Sequence, residues 1–250
     1  MMNTEKRLTL LGHLIELRRC LIRSVIAVAI TTIFTFIAYR QIFDILIHPT
    51  YGINLIFIEM TEMLSTIMVV CLAGGIILAM PYLTYELIIF VSPALTRKEK
   101  KYVYLILPWI VLMFAGGIAF AYFILIPPAT KFLITFGSDI ATPQIKIGNY
   151  ISIVTRLLLA VGLVFEMPVL TTFMARLGII TPKWLADKRR VAIVFVFILA
   201  AIITPTFDPI NQTLVAAPLV VLYEISIWLA KLVYRKGGAQ AVTSVSSTAS

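Results

Sequence analysis

The amino-acid sequence predicts an all-α protein that crosses a membrane with six helices and keeps both termini in the cytoplasm. Of its 250 residues, 60% are hydrophobic and only 13% are charged, and the mean hydropathy is +1.00. This is more apolar surface than one soluble core can bury, so a soluble globular protein is excluded. Backbone polar groups must be paired internally in hydrocarbon, and each long apolar run is therefore predicted to be a helix.

The apolar runs divide the chain into three regions. Residues 1–20 form a predicted cytoplasmic amphipathic segment, in which scattered charges and the lack of a small-residue cleavage site argue against a removable signal peptide. Residues 21–232 form a six-span membrane domain. Residues 233–250 have no apolar face and predict a disordered cytoplasmic tail. The predicted spans are residues 21–39, 63–90, 102–125, 149–173, 191–203 and 212–231.

Basic residues are distributed unequally between the two sides of this arrangement. With the N-terminus inside, the only ones of the 21 on or near the outer side are Arg40, Lys131, Lys146 and Arg156. This asymmetry follows the positive-inside rule and sets the predicted orientation. The other basic residues lie in short clusters between apolar runs, as is typical of oriented spans, so we expect no nucleic-acid partner.

Two outer connections are long enough to form a structured cap. Residues 40–62 include a short amphipathic stretch at 41–47, and residues 126–148 are opened by Pro127-Pro128. The fifth span, 191–203, covers only about 20 Å of a hydrocarbon core near 30 Å. We therefore expect one thin edge of the protein at this span.

Motifs for enzyme chemistry and for cofactor or metal binding are missing from the sequence. There is no GxGxxG, Walker loop or HExxH, and His13 and His48 lie far apart on opposite sides of the predicted membrane. Cys20 and Cys71 have no zinc-like spacing and are interpreted as small apolar residues. We therefore expect no enzymatic activity, no cofactor and no metal.

Glu166, in the run GLVFEMPV, is the sharpest candidate for a functional residue. It lies between Arg156 and Arg176, close to the middle of the fourth span, where a carboxylate costs a few kcal/mol. A functional interpretation places it in a groove that accepts a polar or cationic ligand, with Pro168 bending the helix. A structural interpretation makes it a protonated or internally hydrogen-bonded group that joins helices. Intramembrane ionisable groups are functional by default, which favours the groove.

Other carboxylates lie at the ends of the predicted spans. Glu16, in HLIELRR, and Glu99, in SPALTRKEKK, are crowded by basic residues, and residue chemistry alone favours local ion pairs for both. Asp208, in TPTFDPINQ, fits a tight outer turn. Glu86 and Glu224, near the cytoplasmic ends of spans two and six, are predicted to be structural and to reach water or basic neighbours.

Five motifs in a fixed order give the chain a family resemblance. From about residue 11 to residue 232 it resembles the TatC family, the C subunit of the twin-arginine protein translocase. No single motif is decisive, but five in this order across six spans are highly specific. The motifs are HLIELR at 13–18, FVSPALTRKEKK at 90–101, FEMPV at 165–169, ITPTFDPINQ at 203–212 and LYEISI at 222–227.

The resemblance implies a non-enzymatic receptor in the cytoplasmic (inner) membrane. Folded precursors carrying a twin-arginine signal peptide would dock on it before crossing the membrane. The implied partners are single-span subunits of the TatB and TatA types, further copies of this chain, and the bilayer itself. The thin edge at the fifth span is then the expected docking place of a single-span partner helix.

The resemblance also implies roles for individual residues. Glu16 and Glu99 become the acidic patch for the two signal arginines, with Arg18 and Phe90 beside it. Carboxylates suit this role because they meet planar guanidinium groups in bidentate geometry. The surrounding basic face would repel arginines at long range, so recognition is expected to depend on local fit and to weaken only modestly with salt.

Two further residues receive roles by matching position. Glu166 becomes the polar residue of a membrane-embedded concavity, and Asp208 a functional carboxylate of the outer turn. The chain departs from the family next to Glu16, where members commonly carry a second arginine two places after the first. Here Cys20 stands at that position, and Arg19 is the candidate replacement.

Two other functions remain open on the sequence alone. The first is a proton- or cation-coupled transporter that uses Glu166, which would need a water path between spans. The second is a structural membrane scaffold in which every carboxylate only forms ion pairs.

Overall fold

Helices dominate the backbone in the described part of the chain. The computed structural model of the protein describes residues 10–50, 55–91, 97–135, 144–176, 178–203 and 209–246. The predicted all-α class is confirmed. The helices in these ranges are α1 (Leu10–Ile37), α2 (Tyr39–Ile47), α3 (Glu62–Val91), α4 (Arg97–Phe120), α5 (Ile126–Thr135), α6 (Ile147–Arg176), α7 (Pro182–Asp187), α8 (Arg189–Ile203) and α9 (Pro209–Ser246).

Within these ranges, five helical segments are long and apolar enough to cross a membrane. They correspond to predicted spans one to four and six, and are Ile15–Ile37, Glu62–Phe90, Ile106–Phe132, Ile147–Arg176 and Gln212–Tyr234. The predicted fifth span corresponds to α8. This helix has 15 residues and is about 22 Å long, short of the hydrocarbon thickness. Its predicted shortness is confirmed, whereas six as the number of spans stays a prediction.

The third span extends further than the sequence predicts. Pro127-Pro128 was expected to open the outer connection, but the chain stays helical through a π-helical segment, Ala121–Leu125, and then α5. Proline removes a backbone donor and crowds the preceding turn. The π-helical turn widens the helix just before the prolines, with the Ile126 amide donating to the Ala121 carbonyl. Both prolines then lie in the first turn of α5, where missing donors cost least.

The end of the chain also differs from the prediction. Residues 233–250 were expected to be a disordered tail, yet α9 continues to Ser246. Pro218 is the last proline in the chain, so no later residue lacks the backbone donor that the helix needs. The predicted boundary at residue 232 is therefore not a helix end.

α6 lies at the centre of the packing. It contacts α3, α4, α8 and α9, whereas α1 packs chiefly along α3 and α7 packs against α9. Ile151, Val154 and Val161 on α6 are almost completely buried within this core. The position of α6 explains why a polar side chain on it meets several other helices.

Small residues let α1 and α3 approach closely. The Thr31 hydroxyl lies 2.8 Å from the Gly75 carbonyl oxygen, across the interface. A Cβ atom added at Gly75 would lie 2.8 Å from the Thr32 Cα, and one at Gly74 would lie 2.5 Å from the Thr35 Cγ2. Such contacts are closer than carbon atoms allow, so glycine is required for this helix spacing.

Replacing Gly75 with alanine is therefore expected to force α1 and α3 apart. We expect a loss of about 1–3 kcal/mol, the usual range for an overpacked interior, measured as a lower midpoint of thermal unfolding in detergent. Gly116 on α4 is the matched control, since a Cβ there meets no atom within 4 Å. Gly116→Ala should leave stability unchanged or raise it by up to about 1 kcal/mol through helix propensity. Equal midpoints for the two variants would contradict the close approach.

The predicted amphipathic stretch at 41–47 forms α2, and this prediction is confirmed. Phe43 and Leu46 are buried on one side of α2. The Tyr150 hydroxyl of α6 donates to the Leu46 carbonyl oxygen at 3.0 Å. The first long connection is therefore packed onto the helices rather than extended away from them.

The two long connections also contact each other. Ile56 and Lys146 form a parallel β-bridge just before α6 begins. The Glu62 carboxylate, at the start of α3, accepts from the Ile58 amide at 2.9 Å and from the Gly148 amide at 3.2 Å. One carboxylate thus joins the start of α3 to the start of α6. Residues 51–54 and 136–143 lie outside the described residues, so the complete cap stays a prediction.

Candidate functional site

A charged cluster joins α1 to the C-terminal end of α3. The Arg23 guanidinium lies 3.7 Å from the Glu86 carboxylate, and the Tyr82 hydroxyl donates to the same carboxylate oxygen at 2.7 Å. Glu86 is only 3% exposed, and its other oxygen has no hydrogen-bond partner among the described residues. The prediction that Glu86 reaches a basic neighbour is confirmed, although that neighbour is on another helix.

Glu16 and Phe90 lie at nearly the same height beyond this cluster. The Arg23–Glu86 and Thr31–Gly75 contacts show that α1 and α3 are antiparallel. Glu16 is seven residues back from Arg23, about 10 Å along α1, and Phe90 is four residues on from Glu86, about 6 Å along α3. These spacings keep each residue on the interface side of its helix. Both side chains are partly buried. Their shared role in one site stays a prediction.

The remaining residues of the predicted acidic patch are less fully described. Arg18 and Arg19 are exposed on α1. Glu99 lies in the first turn of α4, where a carboxylate is favoured by the helix dipole. The side chain of Glu99 and residues 92–96, which connect it to Phe90, lie outside the described part of the structure. The distance between Glu16 and Glu99 therefore stays a prediction.

Glu166 lies inside the helix bundle. Its side chain is 1% exposed, and one carboxylate oxygen accepts a hydrogen bond from the Thr84 hydroxyl of α3 at 2.7 Å. The other oxygen, Oε1, has no hydrogen-bond partner among the described residues. Glu166 does not face lipid. The Thr84 contact is the internal hydrogen bond that the structural interpretation predicts, and the unpaired oxygen is left for a ligand or a proton.

α4 packs closely against α6 beside Glu166. The rings of Phe165 and Phe120 lie 5.3 Å apart, and a Cβ at Gly117 would lie 2.7 Å from the Phe165 Cβ. Glycine thus allows α4 to approach α6 beside the carboxylate. In this structure the carboxylate is covered, and an open groove at Glu166 stays a prediction.

Glu224 and Asp208 are the two remaining carboxylates singled out from the sequence, and the structure describes only Glu224. Glu224 of α9 forms a 2.8 Å ion pair with Arg189 at the start of α8, which confirms the predicted basic neighbour. Asp208 lies outside the described residues, directly before Pro209 at the start of α9. Its predicted role in the outer turn stays a prediction.

Some residues that organise the site were missed from the sequence. Arg23 is one of the basic residues that the sequence assigns to the cytoplasmic side without a partner, although its spacing of seven from Glu16 places both on one helix face. Glu62 is absent from the predicted site, although an acidic residue in the first turn is a known sequence signal for the start of a helix. The Gln212 side-chain amide donates to the Phe197 carbonyl oxygen at 3.0 Å and joins α9 to α8. No local pattern identifies that pair.

Metal ligation finds no support in the described ranges. These residues contain no group of three or more His, Cys, Asp or Glu side chains placed to hold a metal ion. The clustered carboxylates face guanidinium and hydroxyl donors instead. The chemistry available at these positions is recognition of cations and hydrogen-bond donors.

Comparison with known proteins identifies the family. The family model for TatC, the Sec-independent protein translocase protein, matches residues 12–218. A TatC protein of Carboxydothermus hydrogenoformans is 42% identical over 234 residues, which cover 93% of this chain and 96% of the relative. A TatC protein of Aquifex aeolicus is 41% identical over 230 residues, covering 90% and 95% of the two chains.

Solved structures agree with the sequence relatives. A crystal structure of the twin arginine translocase receptor TatC superposes with a TM-score of 0.80 at 41% identity, covering 88% of this chain and 99% of that one. A second TatC crystal structure, in the detergent DDM, gives the same TM-score at 40% identity. The family match spans four of the five motifs in full and reaches into α9, and the helices superpose as well. This chain therefore belongs to the TatC family of Sec-independent protein translocase proteins.

Proposed function

We propose that this chain is the receptor subunit of a twin-arginine translocase, which binds the signal peptides of folded precursors. The observation that carries the proposal is the shared height of Glu16 and Phe90 at one end of the α1–α3 pair. Two of the five family motifs lie at this same end, because HLIELR occupies α1 and FVSPALTRKEKK begins at Phe90 and runs into α4. Receptor function requires no enzymatic step.

The proposed binding site combines two carboxylates with an apolar edge. Glu16 and Glu99 accept the guanidinium groups of the two signal arginines in bidentate hydrogen bonds, which a lysine ammonium does not reproduce. Phe90 supplies an aromatic face for a guanidinium or for the apolar part of the signal. Arg18 is exposed beside the carboxylates and limits which cations fit.

The test is the affinity of a twin-arginine signal peptide for purified protein. Glu16→Gln and Glu99→Gln keep size but remove charge, and each should weaken binding by about 1.5–3 kcal/mol, the range for a charged hydrogen bond. Glu224→Gln is the matched control, because Glu224 forms its ion pair with Arg189, away from α1. A peptide with two lysines should bind the unchanged protein more weakly. Unchanged affinity in the double variant would refute the assignment.

We extend the proposal to a location in the cytoplasmic (inner) membrane with both termini inside. The support is the excess of basic residues on that side of the predicted spans. In this orientation α3 and α6 both begin at the outer face, and the signal site faces the cytoplasm. A cysteine at Lys98 that reacts with an impermeant reagent from outside would contradict the orientation.

The proposed partners are TatB- and TatA-type single-span subunits, together with further copies of this chain. One face of α8 supports this part, because it has a stripe of exposed apolar side chains at helical spacing. The stripe comprises Val191, Val194, Phe195, Ile198 and Ile202. α8 is also about 8 Å shorter than the hydrocarbon core, so a partner helix docked on it would border thinned bilayer.

The unpaired oxygen of Glu166 favours a second candidate function. A buried carboxylate with one free oxygen can bind a proton or a cation, as in a coupled transporter. Proton or cation uptake by vesicles that contain this chain alone would support that function. Vesicles that show no uptake, while the protein still binds a twin-arginine peptide, would leave receptor function as the better proposal.

A further inference from the structure

Arg156 is an arginine within a membrane span and has no ion-pair or hydrogen-bond partner among the residues that the structure describes. It lies nine residues after Ile147 in the span Ile147–Arg176, about 14 Å along α6. The side chain is exposed, and it makes no ion pair or hydrogen bond with any residue that the structure describes. An unpaired arginine in hydrocarbon costs a few kcal/mol, so a compensating group is required.

Arg156 lines a recess between α3 and α6. The recess has a volume of about 270 Å³, and its walls are mostly apolar, including Leu72, Ile76 and Leu159. Ser152 and Thr155 add polar groups to the same lining. The Thr155 hydroxyl is already bonded to the Ile151 carbonyl oxygen, whereas the Ser152 hydroxyl has no partner among the described residues.

A second recess continues the first toward the start of α6. Val69 and Ser152 line both, so the two form one furrow along α3 and α6. The second recess has a volume of about 250 Å³ and contains Glu59, Glu62 and Lys146. The furrow is therefore lined by apolar side chains in the middle of the span and by charged side chains near the start of α3 and α6.

The order of charges along the furrow matches a zwitterionic head group. Two carboxylates and one lysine make the outer part net negative, and the single guanidinium makes the inner part positive. Helix side chains lean toward the N-terminus, so Arg156 extends toward the charged end and its guanidinium rises toward the interface. Glu59 already lies 3.9 Å from the Lys146 ammonium, so a lipid ammonium there would share that carboxylate with Lys146. A phosphate at Arg156 would meet an opposite charge.

We propose that this furrow binds one phospholipid with an amine-bearing head group. Its phosphate accepts from Arg156 and Ser152, its ammonium lies by Glu59, and an acyl chain lies along Leu72 and Leu159. A phospholipid head group carries both an anion for Arg156 and a cation for Glu59, whereas an apolar partner helix would leave Arg156 unpaired. The proposal holds for whichever leaflet borders the start of α6, and it is independent of the receptor function proposed above.

Native mass spectrometry of the full chain, equilibrated with equal amounts of phosphatidylethanolamine and phosphatidylglycerol, tests the proposal. The unchanged protein should retain the ethanolamine lipid several-fold more than the glycerol lipid. Arg156→Gln should lower its occupancy about tenfold or more, as expected for the loss of a charged hydrogen bond. Lys131→Gln, an exposed cation on α5 outside the furrow, should change nothing.

Two further variants separate the parts of the site. Leu159→Trp should displace the acyl chain while Arg156 is still present. Glu59→Gln should reduce the preference for the amine head group without abolishing lipid binding. The proposal is overturned if Arg156→Gln retains the lipid as the unchanged protein does, or if the glycerol lipid binds equally well. Capture of a partner helix by a photo-crosslinker at Leu72, with no lipid bound, would also overturn it.

Discussion

Replacing Glu166 with leucine is expected to lower precursor transport by at least about tenfold, or about 1.4 kcal/mol in the effective barrier, without unfolding the protein. A buried carboxylate with one unpaired oxygen contributes little to stability, and an apolar residue of similar size removes its desolvation cost. The Thr84 hydroxyl that loses its acceptor can bond to a carbonyl of its own helix. Transport assays and thermal unfolding of the same variant measure the two effects.

Thr84→Val separates function from packing at the same contact. It leaves both Glu166 oxygens without a donor in the described neighbourhood, and should cost about 1–3 kcal/mol of stability. The double variant Thr84→Val with Glu166→Leu should recover that stability yet still fail in transport. Ser226→Ala is the control, because that buried hydroxyl bonds only within α9. Normal transport by Glu166→Leu would show that the residue serves packing alone.

Lengthening α8 is expected to abolish transport while the protein still inserts. Four leucines added after Phe197 raise the helix from 15 to 19 residues, about 28 Å, which nearly matches the hydrocarbon core. The bilayer next to α8 would then no longer be thinned. The insertion also moves the Phe197 carbonyl relative to Gln212, so the α8–α9 contact at 3.0 Å is lost.

Two controls isolate helix length from these side effects. Ser-Gly-Ser-Gly inserted after Gly178, in the connection between α6 and α7, adds four residues without lengthening α8 and should preserve transport. Gln212→Ala removes the side-chain bond alone and should reduce transport less than the insertion does. Full activity of the lengthened protein would show that the short helix is incidental to translocation.

The helices and their order follow from local sequence, whereas their contacts do not. Apolar run length predicts the spans, and it also predicts that α8 is too short, because both depend only on the thickness of the bilayer. The position of Glu166 within its span follows in the same way. Its partner Thr84 does not, because the pair is separated by 82 residues and helical periodicity gives a face but not the neighbouring helix.

The wrongly predicted end of the third span also has a local physical reason. Pro127-Pro128 has the usual features of a helix end, and only the π-helical turn before it makes continuation possible. That turn has no sequence signal of its own. The acidic patch follows only from the family motifs, because the sequences next to Glu16 and Glu99 favour exposed ion pairs.

The Glu62 carboxylate gives the α3–α6 pair a mechanical role. It joins these parallel helices at one end, and the Thr84–Glu166 bond joins them again about 30 Å further along. Two helices joined at these two levels resist sliding past each other. α1 is attached chiefly through α3, so a pull on a signal peptide at the proposed Glu16 site would be transmitted to this helix pair at the Arg23–Glu86 and Thr31–Gly75 contacts.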